Sequence, residues 1–103
     1  MRRKKIQISL KKVPDKIDIF IFGSYLNSEN PKDIDLIVIY DSNIYTGNSI
    51  FDNCLKLINQ IKEKCGLPVD VTYLSINEEI ETRFLKIVNA IPINDVFNII
   101  REE

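Results

Sequence analysis

The sequence contains no histidine, only two cysteines and no apolar run of transmembrane length. The absence of histidine excludes His-based catalytic triads, His general bases and His-rich zinc sites. The first residues, MRRKKIQISLKKV, carry charges but no long apolar segment, so they are not typical of a signal peptide. These absences predict a cytoplasmic protein with no membrane contact.

The two cysteines, Cys54 and Cys65, fall within one predicted helix. Their spacing of about three helical turns places them on one face but roughly 16 Å apart. A disulfide cannot bridge that distance. We therefore expect reduced thiols of a cytosolic protein.

The length of 103 residues predicts a single domain, residues 1–103, with a modest core. The net charge of −1 gives no general attraction to nucleic acid or membranes. Six of the fourteen basic residues nevertheless lie in the first twelve positions: Arg2, Arg3, Lys4, Lys5, Lys11 and Lys12. They form either a solvated arm or a patch that contacts RNA, DNA or an acidic partner. The arm is favoured, because no aromatic residues interleave with the charges.

The hydrophobic pattern predicts three strands, at residues 17–22, 33–40 and 69–74. The continuous apolar second half of residues 33–40 indicates a central strand buried on both faces. The hydrophobic pattern does not decide the secondary structure of the segments at the two ends of the chain. Either segment could extend this three-strand sheet at an edge.

Two helices are predicted between and after these strands. Ser49 is expected to cap the first, with Asp52 completing a weak capping box, and Gly66 to end it. Ser75 and Glu78 form a second capping box. The helix after Ser75 is expected to run until Pro92 and to bury one face, consisting of Ile80, Phe84, Ile87 and Val88. The alternation of strands and helices predicts an α/β domain.

Asp33 and Asp35 lie at the start of the second predicted strand. Since strand side chains alternate between faces, both carboxylates point the same way and repel each other. A hard divalent cation such as Mg²⁺ would relieve that repulsion. An ordinary solvated strand start is the alternative interpretation of this pair.

Gly23-Ser24 and Asp70 complete a larger pattern. A glycine directly after the first strand lets backbone N–H groups approach a ligand. Ser24 is expected to cap a short helix and to offer its hydroxyl to a phosphate. If the second and third strands are neighbours, Asp70 joins the face of the other two aspartates. Each feature alone has an ordinary structural explanation, but the combination is more specific.

The combined pattern, over residues 17–74, resembles the nucleotidyltransferase signature of the DNA-polymerase-beta-like superfamily. The matching text is IFIFGSYLNSENPKDIDLIVIYD, with PVDVTYL for the third carboxylate. The resemblance implies the fold of that superfamily, an α/β (α+β) domain with a small mixed sheet and helices packed on it. It also implies an enzyme that transfers a nucleoside monophosphate from an NTP, most simply AMP from ATP.

The resemblance also implies residue roles. Asp33 and Asp35 would bind two Mg²⁺ ions, or Mn²⁺, and Asp70 would bind the catalytic metal and help activate the acceptor hydroxyl. Gly23 and Ser24 would hold the triphosphate. Relatives often carry Arg or Lys soon after the Gly-Ser turn, whereas here Lys32 is the only nearby cation.

The chain also resembles the stand-alone minimal nucleotidyltransferases of the MntA-like antitoxin type, which work with a helical HEPN partner. Lacking the helical domain of larger members, it is expected to act in a complex with such a partner or as a homo-oligomer. The acceptor is then a hydroxyl of the partner protein; a weakly catalytic or non-catalytic antitoxin or regulatory subunit is the alternative. The apolar segment 91–100 is the candidate contact, unless it packs on the domain's own sheet. A small-molecule modifier is disfavoured, because the sequence offers no second set of residues for an acceptor pocket.

Overall fold

The computed structural model describes residues 5–10 and 14–101. Within these ranges, the strands are β1 (Ile6–Leu10), β2 (Ile17–Phe22), β3 (Ile34–Tyr40), β4 (Val69–Ser75), β5 (Ile91–Pro92) and β6 (Phe97–Arg101). The helices are α1 (Ser24–Asn27), α2 (Gly47–Cys65), α3 (Ile76–Thr82) and α4 (Phe84–Ile87), with a 3₁₀ turn at Ile93–Asp95. The predicted α/β fold class is confirmed.

The main sheet has the order β4-β3-β2-β5. β3 runs antiparallel to β2 and parallel to β4, so α2 forms the crossover between the parallel strands. β3 is the central strand, as its apolar sequence predicts, and Ile37, Val38 and Ile39 are all buried. Alternate residues of β3 therefore serve two different faces of the sheet.

One face of the sheet packs against α2. Leu36 and Val38 of β3 join Ile50, Leu57 and Ile61 of the helix in the main core, with none of these side chains more than 1% exposed. The opposite face carries the odd-numbered residues of β3. That face is the one on which Asp35 lies.

Helix α2 begins three residues earlier than predicted. Its N-cap is Thr46, whose side chain accepts from the Ser49 N–H, while the Ser49 hydroxyl accepts from the Thr46 N–H. The predicted cap at Ser49 with Asp52 is therefore wrong, because Ser49 occupies the third position of the box. The predicted stop is confirmed, since Gly66 adopts the left-handed conformation at the C-terminus.

The predicted helix after Ser75 is two helices. The capping box of Ser75 and Glu78 is confirmed. Arg83 then adopts a left-handed conformation with φ of 52°, which ends α3 and redirects the chain into α4. Pro92 does not terminate a helix; it pairs with β2 at the sheet edge. Two residues of the expected buried face are exposed, Ile80 at 63% and Ile87 at 70%, whereas Phe84 and Val88 are half-buried.

The two ends of the described chain pair with each other. β1 and β6 form a separate two-stranded parallel sheet, so they do not extend the main sheet, which gains only β5. Gln60 and Lys64 of α2 donate side-chain hydrogen bonds to the carbonyls of Ser9 and Gln7 on β1. The small sheet is thereby attached to the α2 side of the domain.

The expectation that segment 91–100 offers a partner surface is wrong for two of its apolar residues, Ile93 and Phe97, whereas Ile100 is 36% exposed. Ile93 is 4% exposed and Phe97 is fully buried, and both belong to the main core. The alternative, in which the segment packs on its own domain, describes the fold. Large apolar side chains are exposed elsewhere: Ile76, Ile80 and Ile87 on α3 and α4, and Ile44, Phe51 and Leu55 around the start of α2.

Three further expectations concern the surface and the thiols. In the part of the chain that the structure describes, no helix has both the length and the apolar character needed to cross a bilayer. Cys54 is buried, and burial raises the pKa of its thiol to about 11; neither it nor Cys65 forms a disulfide. Of the basic N-terminal residues, Lys5 donates to the Asn94 carbonyl at 2.9 Å, while positions 2–4, 11 and 12 lie outside the described residues.

Candidate active site

The site is built from the start of the two parallel strands. In the parallel register of β3 and β4, Asp35 stands directly beside Asp70. Register partners on neighbouring strands present their side chains on the same face. Asp33 lies one residue before β3 begins. The chain therefore brings a carboxylate from β4 to the pair that the sequence places around Ile34.

The three carboxylates converge. One carboxylate oxygen from each of Asp33, Asp35 and Asp70 lies within 4.8 Å of the others. Asp33 and Asp35 are half-buried and Asp70 is exposed. Burial raises the pKa of the Asp35 carboxyl above its usual value, and the nearby charges of Asp33 and Asp70 raise it further. The cluster thus has an excess of negative charge that a bound cation would neutralise.

Gly23 closes this cluster from the β2 side. Phe22, the last residue of β2, is the register partner of Asp35, so the chain turns away directly beside that aspartate. Gly23 has φ of 84° and ψ of −155°, a combination that is essentially restricted to glycine. A Cβ atom at Gly23 would lie 2.5 Å from Oδ2 of Asp35. Both the conformation and the space therefore require glycine.

Ser24 and Lys32 lie at the rim. Ser24 is the exposed first residue of α1, and Gly23 is the N-cap, with no side-chain capping bond. The predicted capping role of Ser24 is therefore wrong, and its hydroxyl is left at the surface beside Gly23. Lys32 is exposed and directly precedes Asp33 in the chain.

The single turn of α1 is held by contacts on its buried side and at its N-terminus. Tyr25 is buried and its ring stacks on Phe97 with centroids 5.9 Å apart. On the exposed side, the Asn27 side-chain amide donates to the Gly23 carbonyl at 3.2 Å. These contacts hold the turn that follows β2 against the aspartate cluster.

A family model described as "Polymerase beta, Nucleotidyltransferase" matches residues 4–93. The chain belongs to this nucleotidyltransferase family. No curated protein and no solved structure gives a significant match.

The aspartate cluster is typical of the divalent-metal site of polymerase-beta nucleotidyltransferases. Its chemistry suits such a metal, because three carboxylates supply only oxygen ligands and together carry negative charge that a divalent cation would neutralise. The site is also accessible, since Asp70 is exposed. This nucleotidyltransferase therefore carries a candidate catalytic centre at the start of its parallel strands.

The sequence placed Phe84 on a buried helix face but did not indicate that it would meet Phe22. Phe22, the register partner of Asp35, meets Phe84 of α4 edge to face, with ring centroids 5.8 Å apart. The position of Phe22 directly before Gly23 was visible in the sequence. The role of Phe84 was not, because the break at Arg83 that places α4 over β2 has no clear sequence signal.

Proposed function

We propose that this nucleotidyltransferase transfers a nucleoside monophosphate, most simply AMP from ATP, onto a hydroxyl of a partner protein. The proposal includes the biological role of antitoxin in a pair with a helical HEPN toxin, and a single minimal domain over residues 1–103. The observation that carries it is the convergence of Asp33, Asp35 and Asp70 beside a glycine that contacts Asp35.

Asp33, Asp35 and Asp70 would hold Mg²⁺, or Mn²⁺ in its place. When bound, two such ions would activate the attacking oxygen and neutralise charge on the leaving pyrophosphate. Burial raises the pKa of Asp35, and the charges of Asp33 and Asp70 raise it further; this crowding of carboxylates supports the assignment, because a bound cation would relieve it.

The remaining roles follow from position. Gly23 and Ser24 would hold the triphosphate, since the absence of a side chain at Gly23 keeps the backbone open beside Asp35. Lys32 would supply a positive charge at the rim. Asp70 would bind the catalytic metal and help activate the acceptor hydroxyl, which its exposure would allow.

The exposed apolar side chains of α3 and α4 support a protein acceptor. Helices α3 and α4 expose Ile76, Ile80 and Ile87 at 45%, 63% and 70%. Exposed apolar groups of this size favour protein contact. A homo-oligomer would use the same surface, and nucleic acid remains the less favoured partner.

One observation favours a second candidate, a nucleotide-binding subunit with little or no catalysis. The turn after Gly23 carries no Arg or Lys from Tyr25 to Ser28, and the Asn27 amide is already engaged with the Gly23 carbonyl. The site therefore lacks a cation where relatives often have one.

A transfer assay separates the two candidates. The purified protein, together with any partner that co-purifies, is incubated with Mg²⁺ and ATP labelled at the α-phosphate. We expect label on protein, and we expect the Asp33→Ala/Asp35→Ala double variant to lose it completely. Asp52→Ala, an exposed aspartate of α2, is the matched control and should retain full labelling. Normal labelling by the double variant would refute the metal assignment, whereas Mg·ATP binding without transfer would favour the binding subunit.

A further inference from the structure

The Gly23 carbonyl accepts two hydrogen bonds from its own turn. The Leu26 N–H donates to it at 3.1 Å and the Asn27 side-chain amide at 3.2 Å. Backbone geometry alone supplies the first bond, but the second depends on the identity of residue 27. The spacing of four residues is the one that brings a side chain back over the preceding turn of a helix.

These two bonds fix the orientation of the whole peptide group between Gly23 and Ser24. The peptide group that joins Gly23 to Ser24 is planar and trans, so its C=O and its N–H point in opposite directions. Holding the carbonyl toward Leu26 and Asn27 therefore directs the Ser24 N–H away from α1. The same peptide begins at the glycine whose Cα lies against the Asp35 carboxylate.

The Asn27 bond adds to the restraint that the Leu26 N–H bond and Tyr25 already give this turn, and it acts on the exposed side. An isolated turn of four residues has almost no helical stability of its own. Glycine also has the largest conformational freedom of any residue. Tyr25 anchors the buried side of the turn through its stacking on Phe97, but Ser24 and Asn27 are both exposed.

We propose that Asn27 is a positioning residue for the triphosphate: its amide locks the Gly23–Ser24 peptide in the orientation that presents the Ser24 N–H to a phosphate oxygen. This inference rests on the proposed function, since it requires an NTP beside the aspartate cluster. Asn27 itself does not touch the substrate. Its contribution is preorganisation, which raises affinity by removing an ordering cost from binding.

The test measures binding, independently of any acceptor. Asn27→Ala removes the donor, and Asn27→Asp replaces it with an acceptor that faces the Gly23 carbonyl. Calorimetry with Mg²⁺ and a non-hydrolysable ATP analogue, and separately with Mg²⁺ and inorganic tripolyphosphate, gives the dissociation constants. Loss of one hydrogen bond predicts about threefold to tenfold weaker binding of both probes. The effects should be equal for the two probes, because tripolyphosphate has no base or sugar.

Two controls separate positioning from general damage. Asn30→Ala and Asn30→Asp make the same changes at an exposed residue. The backbone N–H of Asn30 donates to the Ser28 hydroxyl, and neither substitution removes that donor. They should leave both dissociation constants unchanged. The affinity of the Asn27 variants for Mn²⁺ without nucleotide should change less than about twofold, because Asn27 is not one of the proposed metal ligands.

The outcomes are distinct. If the unaltered protein binds neither probe, the proposed function fails. If it binds both and the Asn27 variants bind equally well, the positioning role is overturned while the proposed function stands. Loss of Mn²⁺ affinity in parallel with phosphate affinity would also overturn it, because Asn27 would then be a structural residue of the whole site.

Discussion

At the residue scale, the site depends on one contact between a backbone and a carboxylate. Gly23 lies so close to Asp35 that no side chain fits between them. This contact gives a physical reason for the glycine directly after β2. It also links the turn that precedes α1 to the face of β3 that carries the aspartate cluster.

Gly23→Ala should destabilise the protein by about 1–3 kcal/mol, the usual cost of forcing a residue with a Cβ into this backbone region. The new Cβ would also displace the Asp35 carboxylate and weaken Mn²⁺ binding. Urea denaturation and metal titration measure the two effects. Gly47→Ala is the matched control: nothing lies within 4 Å of a Cβ there, and its stability should be unchanged or higher by up to about 1 kcal/mol. Equal effects of the two substitutions would contradict the role assigned to Gly23.

Asp35→Asn should stabilise the metal-free protein at neutral pH by less than about 1 kcal/mol, because the carboxylate is partly solvated. The pKa of Asp35 is raised in the folded state, so the folded protein binds more protons than the unfolded chain between the ordinary and the raised pKa. The free energy of unfolding of the parent protein therefore rises as the pH falls through this interval. The advantage of Asp35→Asn should disappear below the ordinary pKa of aspartate, as urea titrations in EDTA at several pH values would measure. A constant advantage across the acidic range would show that the raised pKa is not its cause.

At the element scale, particular residues set where α2 and α3 begin and end. Capping boxes begin both α2 and α3, and a left-handed residue ends each helix, Gly66 in the first and Arg83 in the second. The glycine is visible in the sequence as a stop. The arginine is not, because its side chain gives no indication of a left-handed backbone.

Thr46→Ala should lower the free energy of unfolding by about 1 kcal/mol, since it removes the acceptor of the Ser49 N–H at the start of α2. Asp52→Ala changes the residue that the sequence pattern places in a capping box, and it should alter stability by no more than about 0.5 kcal/mol. Chemical denaturation of both variants compares the two assignments. The opposite ranking would favour Ser49 as the cap.

At the scale of the whole molecule, the C-terminal segment closes the domain. β6 pairs with β1, the far end of the described chain, and Phe97 inserts into the core beneath α1 through its contact with Tyr25. The segment therefore connects the small sheet to the turn that forms the site. The isoleucines of α3 and α4, in contrast, remain exposed.

Phe97→Ala should cost about 3–5 kcal/mol, the usual range for truncating a buried phenylalanine. Ile100→Ala changes a residue of the same strand that is 36% exposed, and its cost should be much smaller. Thermal and urea unfolding measure both. If the two costs were similar and small, the segment would be a detachable surface element, as expected of a partner contact.

The sequence by itself determined the three main strands, their α/β order and the three aspartates of the candidate site. This was decidable because strand periodicity, turn glycines and the spacing of Asp33 and Asp35 are local properties of the chain. The family follows from the same local pattern. The capping box at Ser75 was also decidable, since both of its members lie within one turn.

Only the tertiary structure decided the rest. The register of β3 with β4 places Asp70 beside Asp35, and no local pattern fixes the register of strands separated by a crossover helix. The pairing of β1 with β6 and the burial of Phe97 likewise depend on contacts between residues far apart in the chain. The break at Arg83 depends on where α4 can pack, which is a property of the sheet beneath it and not of the helix sequence.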